Sequence, residues 1–83
     1  AMQRAATELG LGEHASTLVT QTLLGAARLL DESADDAAAL RKKVTSPGGT
    51  TEAAIRSLED AGVADAVVAA IRAAEARSRE LGA

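Results

Sequence analysis

The chemistry of this chain is concentrated in one run, Val44-Thr45-Ser46-Pro47-Gly48-Gly49-Thr50-Thr51. Pro47 fixes its own φ, and the two glycines allow a sharp turn and a close backbone approach to a ligand. An apolar run with helical spacing follows, starting Ala53-Ala54-Ile55. The first amides of such a helix have no acceptor within it, and the positive end of its dipole faces the turn. A carboxylate or phosphate suits that place, with converging N–H groups as donors. The hydroxyls of Ser46, Thr50 and Thr51 can add further donors. The same residues also support a purely architectural reading, in which Thr50 or Thr51 caps a helix after a tight turn. The residues alone leave both readings open.

Little else in the chain competes for a chemical role. There is no cysteine, so neither disulfides nor thiolate metal sites are expected. His14 is the only histidine. It has no second ligand nearby and falls where a helix should begin, which suits a capping or solvent-facing role and no metal. The only basic run, Arg41-Lys42-Lys43, suits a helix C-terminus, where cations meet the negative end of the dipole. A net charge of −3 and a pI near 5.0 provide no electropositive surface for a phosphate backbone. With no aromatic residues there is nothing to stack on bases, so nucleic acid is not an expected partner. No apolar run approaches the roughly 18 residues of a membrane span, and no signal-peptide pattern is present. A soluble, cytoplasmic protein without a membrane partner is the expectation.

The elements that must position the turn read as helices throughout, and the expected fold is all-α with five helices. Residues 1–9 have the pattern of a helix tail, stopped by Gly10-Leu11-Gly12. Ala1-Met2-Gln3-Arg4-Ala5-Ala6 is helix-compatible with no cap before it, as if the chain opened inside a helix. A long second helix is expected from about residue 13 to 32, where Ala15, Leu18, Val19, Thr22, Leu23, Ala26, Leu29 and Leu30 recur with helical period. Leu24 and Ala27 widen that stripe, and Gly25 in its midst predicts a close crossing by another helix. Ser33-Ala34-Asp35-Asp36 has capping-box spacing, with Ser33 as cap, and predicts a third helix over about 34–43. Ala54, Ile55, Leu58 and Ala61 mark a fourth helix, ended by Gly62. A fifth starts near Asp65, carries Val67, Val68, Ile71 and Ala74 on its apolar side, and runs to Leu81-Gly82.

Size limits what such helices can do alone. A chain of 83 residues makes a single domain, and one this small buries only about 60% of the surface its unfolded chain exposes. Bulky side chains normally dominate core energetics at roughly 25 cal/mol per Å² of apolar surface. This chain has no Phe, Tyr or Trp, and much of its 47% hydrophobic content is alanine. Alanine and glycine permit close helix approach, so the expectation is an assembly that draws extra burial from a second copy or another domain.

Taken together, the motifs resemble the C-terminal domain of pyrroline-5-carboxylate reductase over nearly the whole chain. The resemblance is carried by Gly10-Leu11, Gln21-Thr22-Leu23-Leu24-Gly25-Ala26-Ala27, Leu29-Leu30, Glu32-Ser33, Leu40-Arg41 and the run from Val44 to Thr51. Ala53-Ala54-Ile55, Leu58-Glu59, Gly62, Ala70-Ile71, Ala73-Ala74, Arg77-Ser78 and Glu80-Leu81 continue it in order. The chain departs from the family pattern at Arg4, where an Asp is common, and at Asp36-Ala37, where a His-Pro pair is frequent. The family's N-terminal Rossmann domain has no counterpart in these residues.

The resemblance implies an all-helical dimerisation domain over residues 1–83, forming an interlocked homodimer or a multiple of dimers. It implies an oxidoreductase of proline biosynthesis in which hydride passes from NAD(P)H to the C=N carbon of 1-pyrroline-5-carboxylate, giving L-proline. Ser46, Gly48, Gly49, Thr50 and Thr51 would bind substrate: Ser46 and the amides around Gly49, Thr50 and Thr51 would hold its carboxylate, and the Thr51 hydroxyl would approach the ring nitrogen. No catalytic, cofactor-binding or metal-ligating residue is expected in the chain. NAD(P)H would serve the full-length enzyme, and this part alone would bind none and be inactive. The alternative is a stand-alone helical oligomerisation module without catalytic duty.

Overall fold

The structure, a computed structural model, describes residues 1–82. All regular elements among them are helical, and the chain divides into two compact units, Ala1–Arg41 and residues 42–82. Four regular helices are present: α1 (Ala15–Glu32), α2 (Ala37–Val44), α3 (Thr50–Asp60) and α4 (Val63–Gly82).

The fifth, the expected N-terminal helix, is corrected to a broken helical segment. A single α turn, Met2–Ala6, widens into a π turn, Thr7–Leu11, and then tightens into a 3₁₀ turn, Gly12–His14. Gly10 causes the break, because its φ of 88° lies in the left-handed region that only glycine enters at little cost. Thr7 contributes by donating its hydroxyl to the Gln3 carbonyl (3.0 Å), a back-bond that competes with the helix ladder. The 3₁₀ turn also delays α1, which starts at Ala15 rather than near residue 13. His14 stands at its N-cap position without making a side-chain capping bond. The Met2–Ala6 turn contacts α1, and Ala15, the first residue of α1, is buried at 5% exposure.

α1 ends at Ser33, which is extended (φ −86°, ψ 147°) and donates its N–H to the Leu29 carbonyl (3.1 Å). The expected capping box headed by Ser33 does not form. The Ser33 hydroxyl instead accepts from the Asp35 N–H (3.1 Å) in a local turn. Asp36 takes over as cap: its Oδ1 accepts from the Ala39 N–H (2.9 Å), and its carbonyl accepts from the Leu40 N–H (3.0 Å). The third expected helix therefore begins at Ala37, three residues later than the spacing suggested. Asp is among the best N-cap residues, and a carboxylate at a helix N-terminus gains from the dipole, so Asp36 outcompetes the serine.

In the second unit, α3 and α4 are joined across Ala61-Gly62 and touch only near that corner. Ala61 and Gly62 donate back to Ser57 and Glu59 (3.1 and 3.0 Å), and Gly62 turns the chain with φ 69°. The Gly62 carbonyl then accepts from the Ala66 N–H (3.0 Å), which launches α4. Exposed ion pairs Arg77–Glu80 and Arg79–Glu75 lie along α4; pairs of this kind stabilise a helix only slightly.

Neither unit closes over its own apolar residues. Leu18, Leu23, Leu24, Leu29 and Leu30 of α1 remain 42–56% exposed, and Ile71 of α4 is 65% exposed. The surface measures 6981 Å². Two separate folded bodies, each of half the mass of this 8.4 kDa chain, would expose only about 5,600 Å². The excess is arranged as helix stripes, not scattered: Val63, Val67 and Ile71 recur every fourth residue along α4.

The two candidate caps of α2 are separable by experiment. Asp36→Ala should lower unfolding stability by about 1 kcal/mol in denaturant melts at fixed protein concentration, with Asp36→Asn close to the parent and Ser33→Ala costing less than Asp36→Ala. A larger loss from Ser33→Ala would return the cap to the serine.

Candidate functional site

The run from Val44 to Thr51 lies within the second unit and links α2 to α3. Its centre is a tight turn in which Gly49 donates its N–H to the Ser46 carbonyl (3.0 Å). Pro47 occupies the second position of that turn, and Gly48 the third with φ 72°. Pro at the second position with a left-handed residue at the third is the pattern of a type II turn. No L side chain sits comfortably at Gly48.

Gly49 is glycine for a different reason. Its φ of −84° suits any residue, but a Cβ there would stand 2.6 Å from Ser46 Oγ and 3.1 Å from the Ser46 carbonyl oxygen. The Ser46 side chain is thus folded over Gly49, and the structure brings these two candidate residues together.

Gly49 is also the N-cap of α3, with ψ 176°, and no side-chain capping bond is made there. The architectural reading, in which Thr50 or Thr51 serves as the cap, is therefore not what the chain does. Both threonines are already helical, at the first and second positions of α3. The first helical backbone bond runs from the Ala53 N–H to the Gly49 carbonyl (3.2 Å), so the amides of Thr50, Thr51 and Glu52 have no acceptor within the helix. Thr51 is half-buried, while Ser46 and Thr50 are exposed.

Not every amide of the turn is a free donor. The Gly49 N–H is committed to Ser46, and the Gly48 N–H donates to Glu52 Oε1 (3.3 Å). The same oxygen of Glu52 pairs with Arg56 Nη2 at 3.5 Å. Sequence reading passed over Glu52. Its signal was available, since an acid at the third position of a helix can reach back to the N–H of the cap; here it reaches one residue further, to Gly48.

Among the described residues no cluster of three His, Cys, Asp or Glu side chains could hold a metal ion. None of the described helices is long and apolar enough to cross a membrane.

These features define a class: an all-helical module with uncovered apolar faces and one elaborated, glycine-capped helix start. The family model for pyrroline-5-carboxylate reductase dimerisation matches residues 1–81, and the chain belongs to that family. It is 50% identical over 82 residues to a pyrroline-5-carboxylate reductase of Pseudomonas aeruginosa, covering 98% of this chain and 30% of the relative. Against pyrroline-5-carboxylate reductase 2 of Bacillus subtilis the identity is 43% over the same length, again covering 98% and 30%. A reductase of Synechocystis is 48% identical over 68 residues, covering 82% of this chain and 26% of that protein. The chain thus spans under a third of the length of these relatives. No solved structure matches it.

The close approach of Ser46 to Gly49 yields a double-mutant test. Gly49→Ala should lower the melting temperature, and adding Ser46→Ala should recover part of the loss by removing the Oγ that the new methyl meets. No recovery in the double variant would mean that the carbonyl, not the hydroxyl, excludes a side chain there.

Proposed function

We propose that this chain is the helical, subunit-pairing part of a pyrroline-5-carboxylate reductase, an enzyme that reduces 1-pyrroline-5-carboxylate to L-proline with NAD(P)H. The observation that carries the reading is the start of α3, where Gly49 caps the helix without a side-chain bond and leaves donors ahead of the first helical hydrogen bond. Ser46, Gly48, Gly49, Thr50 and Thr51 form the substrate site in this reading, with divided duties. Gly48 and Gly49 shape the turn. The amides of Thr50 and Thr51 and the Ser46 hydroxyl receive the substrate carboxylate at the positive end of the α3 dipole. The half-buried Thr51 hydroxyl serves the ring nitrogen.

Reduction of a protonated imine needs neither a nucleophile nor a metal from this chain, because the C=N carbon is already electrophilic. Holding the substrate in one orientation is the contribution asked of these residues. They do not fit the dinucleotide itself: no strand occurs among the described residues, and a Rossmann site needs a strand, a glycine-rich turn and a helix in succession. In this reading NAD(P)H is held outside the chain, which acts in the cytoplasm.

The exposed stripes of α1 and α4 support the pairing half of the proposal. Gly25, expected to lie under a close helix crossing, faces open space, which leaves its side of α1 available to a helix of a second copy. A homodimer, or a multiple of dimers, with interlocked long helices accounts for both.

Two measurements test the proposal. Light scattering coupled to size exclusion at low micromolar concentration should give at least twice the chain mass, and a folded monomer with a cooperative melt would refute the pairing. In the full-length reductase carrying this chain, Thr51→Ala should cost about 1.5 to 3 kcal/mol of substrate interaction, or roughly 10- to 150-fold in kcat/KM for pyrroline-5-carboxylate. The Kd for NAD(P)H should stay at the parent value. Parent kinetics in that variant would remove Thr51 from the site.

A further inference from the structure

Glu52 stands beside the glycine turn with a bond that the proposed reaction does not use. We propose that Glu52 is a positioning residue, locking the Pro47–Gly48 peptide in the one orientation that presents the carboxylate site. The inference rests on the substrate role proposed above for Ser46 to Thr51.

In a four-residue turn closed by one hydrogen bond, the central peptide is the only one not tied down. Here the closing bond joins the Ser46 carbonyl to the Gly49 N–H (3.0 Å), so the free peptide is Pro47–Gly48. It can rotate as a unit between the type II arrangement seen here, with Gly48 at φ 72°, and type I, with Gly48 at negative φ. Pro47 fits the second position of either type, and Gly48, lacking a Cβ, enters either region at little cost. The turn residues therefore do not select the arrangement by themselves.

Glu52 does. Its Oε1 accepts the Gly48 N–H (3.3 Å), and an ionised carboxylate is an acceptor only. Rotation of the central peptide would withdraw the N–H and swing the Pro47 carbonyl oxygen towards the side the N–H had faced, exchanging an attraction for a repulsion. Arg56, one turn further along α3, pairs with the same Oε1 (3.5 Å) and orients it. Glu52 is half-buried, its side chain 37% exposed, whereas Arg56 is 72% exposed, so the pair is anchored from its acidic end. Ser46 and Gly49 flank the peptide that Glu52 restrains, and Ser46 Oγ stands 2.6 Å from where a Cβ on Gly49 would be.

The test uses the full-length reductase and three variants. Glu52→Ala should raise KM for pyrroline-5-carboxylate about two- to tenfold, the worth of one net hydrogen bond, with kcat changed less and KM for the dinucleotide unchanged. Glu52→Gln, which keeps an acceptor for the Gly48 N–H, should recover most of that loss; a Gln variant as impaired as the Ala variant would overturn the proposal. Thr51→Ala is the control for the site. If Thr51→Ala is impaired while Glu52→Ala keeps the parent KM, the positioning role falls and the carboxylate site stands; if neither changes, the site reading itself falls. A KM lowered by Glu52→Ala would mean that the carboxylate competes with substrate, which also overturns the proposal. Hydrogen exchange at the Gly48 amide gives a second readout independent of turnover: it should quicken in Glu52→Ala and not in Thr51→Ala, and unchanged exchange would refute the lock.

Discussion

Alanine-rich helices can approach one another closely, but they bring little surface to bury, and the architecture follows from that constraint. Each unit of this chain covers almost none of its own apolar residues, and only Ala15 is buried among those described. The leucines of α1 and the valines and isoleucine of α4 are placed on stripes as though for a core, yet the chain has no aromatic residue to fill one. At roughly 25 cal/mol per Å², stability has to come from surface covered outside the chain. Membership in a family described by dimerisation agrees with that physical need.

Against this open scaffold the glycine turn is the most determined piece of local structure. Two glycines are required there for unrelated reasons: Gly48 because its φ is positive, Gly49 because the Ser46 side chain occupies the volume of a Cβ. The turn makes Gly49 the cap of α3 and so frees the threonine side chains from capping. Glu52 and Arg56 add a charged pair at the rim, where the helix dipole favours the acid. The pair is too exposed to matter much for stability.

Helix identity was legible in the sequence wherever periodicity was long. The stripes of α1, α3 and α4 could be read from apolar spacing, and Gly62 as a stop, because left-handed glycine after a helix is a local property. Boundaries failed where two local signals competed. Ser33 and Asp36 both carry cap chemistry, and periodicity cannot say that the serine is consumed by its own turn with Asp35. The N-terminal helix failed for a related reason: Gly10 and Gly12 could be read as a stop, but not that the chain would pass through π and 3₁₀ turns before α1.

By itself the sequence determined the all-helical class, the family, and the position of the glycine turn ahead of a helix, because helical period, glycine and proline act over a few neighbouring residues. Three-dimensional structure decided which residue caps which helix, which amides of the turn are spent internally, and that Glu52 reaches back to Gly48. These are choices of which acceptor meets which backbone donor. Their outcome depends on distances of a few tenths of an ångström, which a pattern of residue types does not encode.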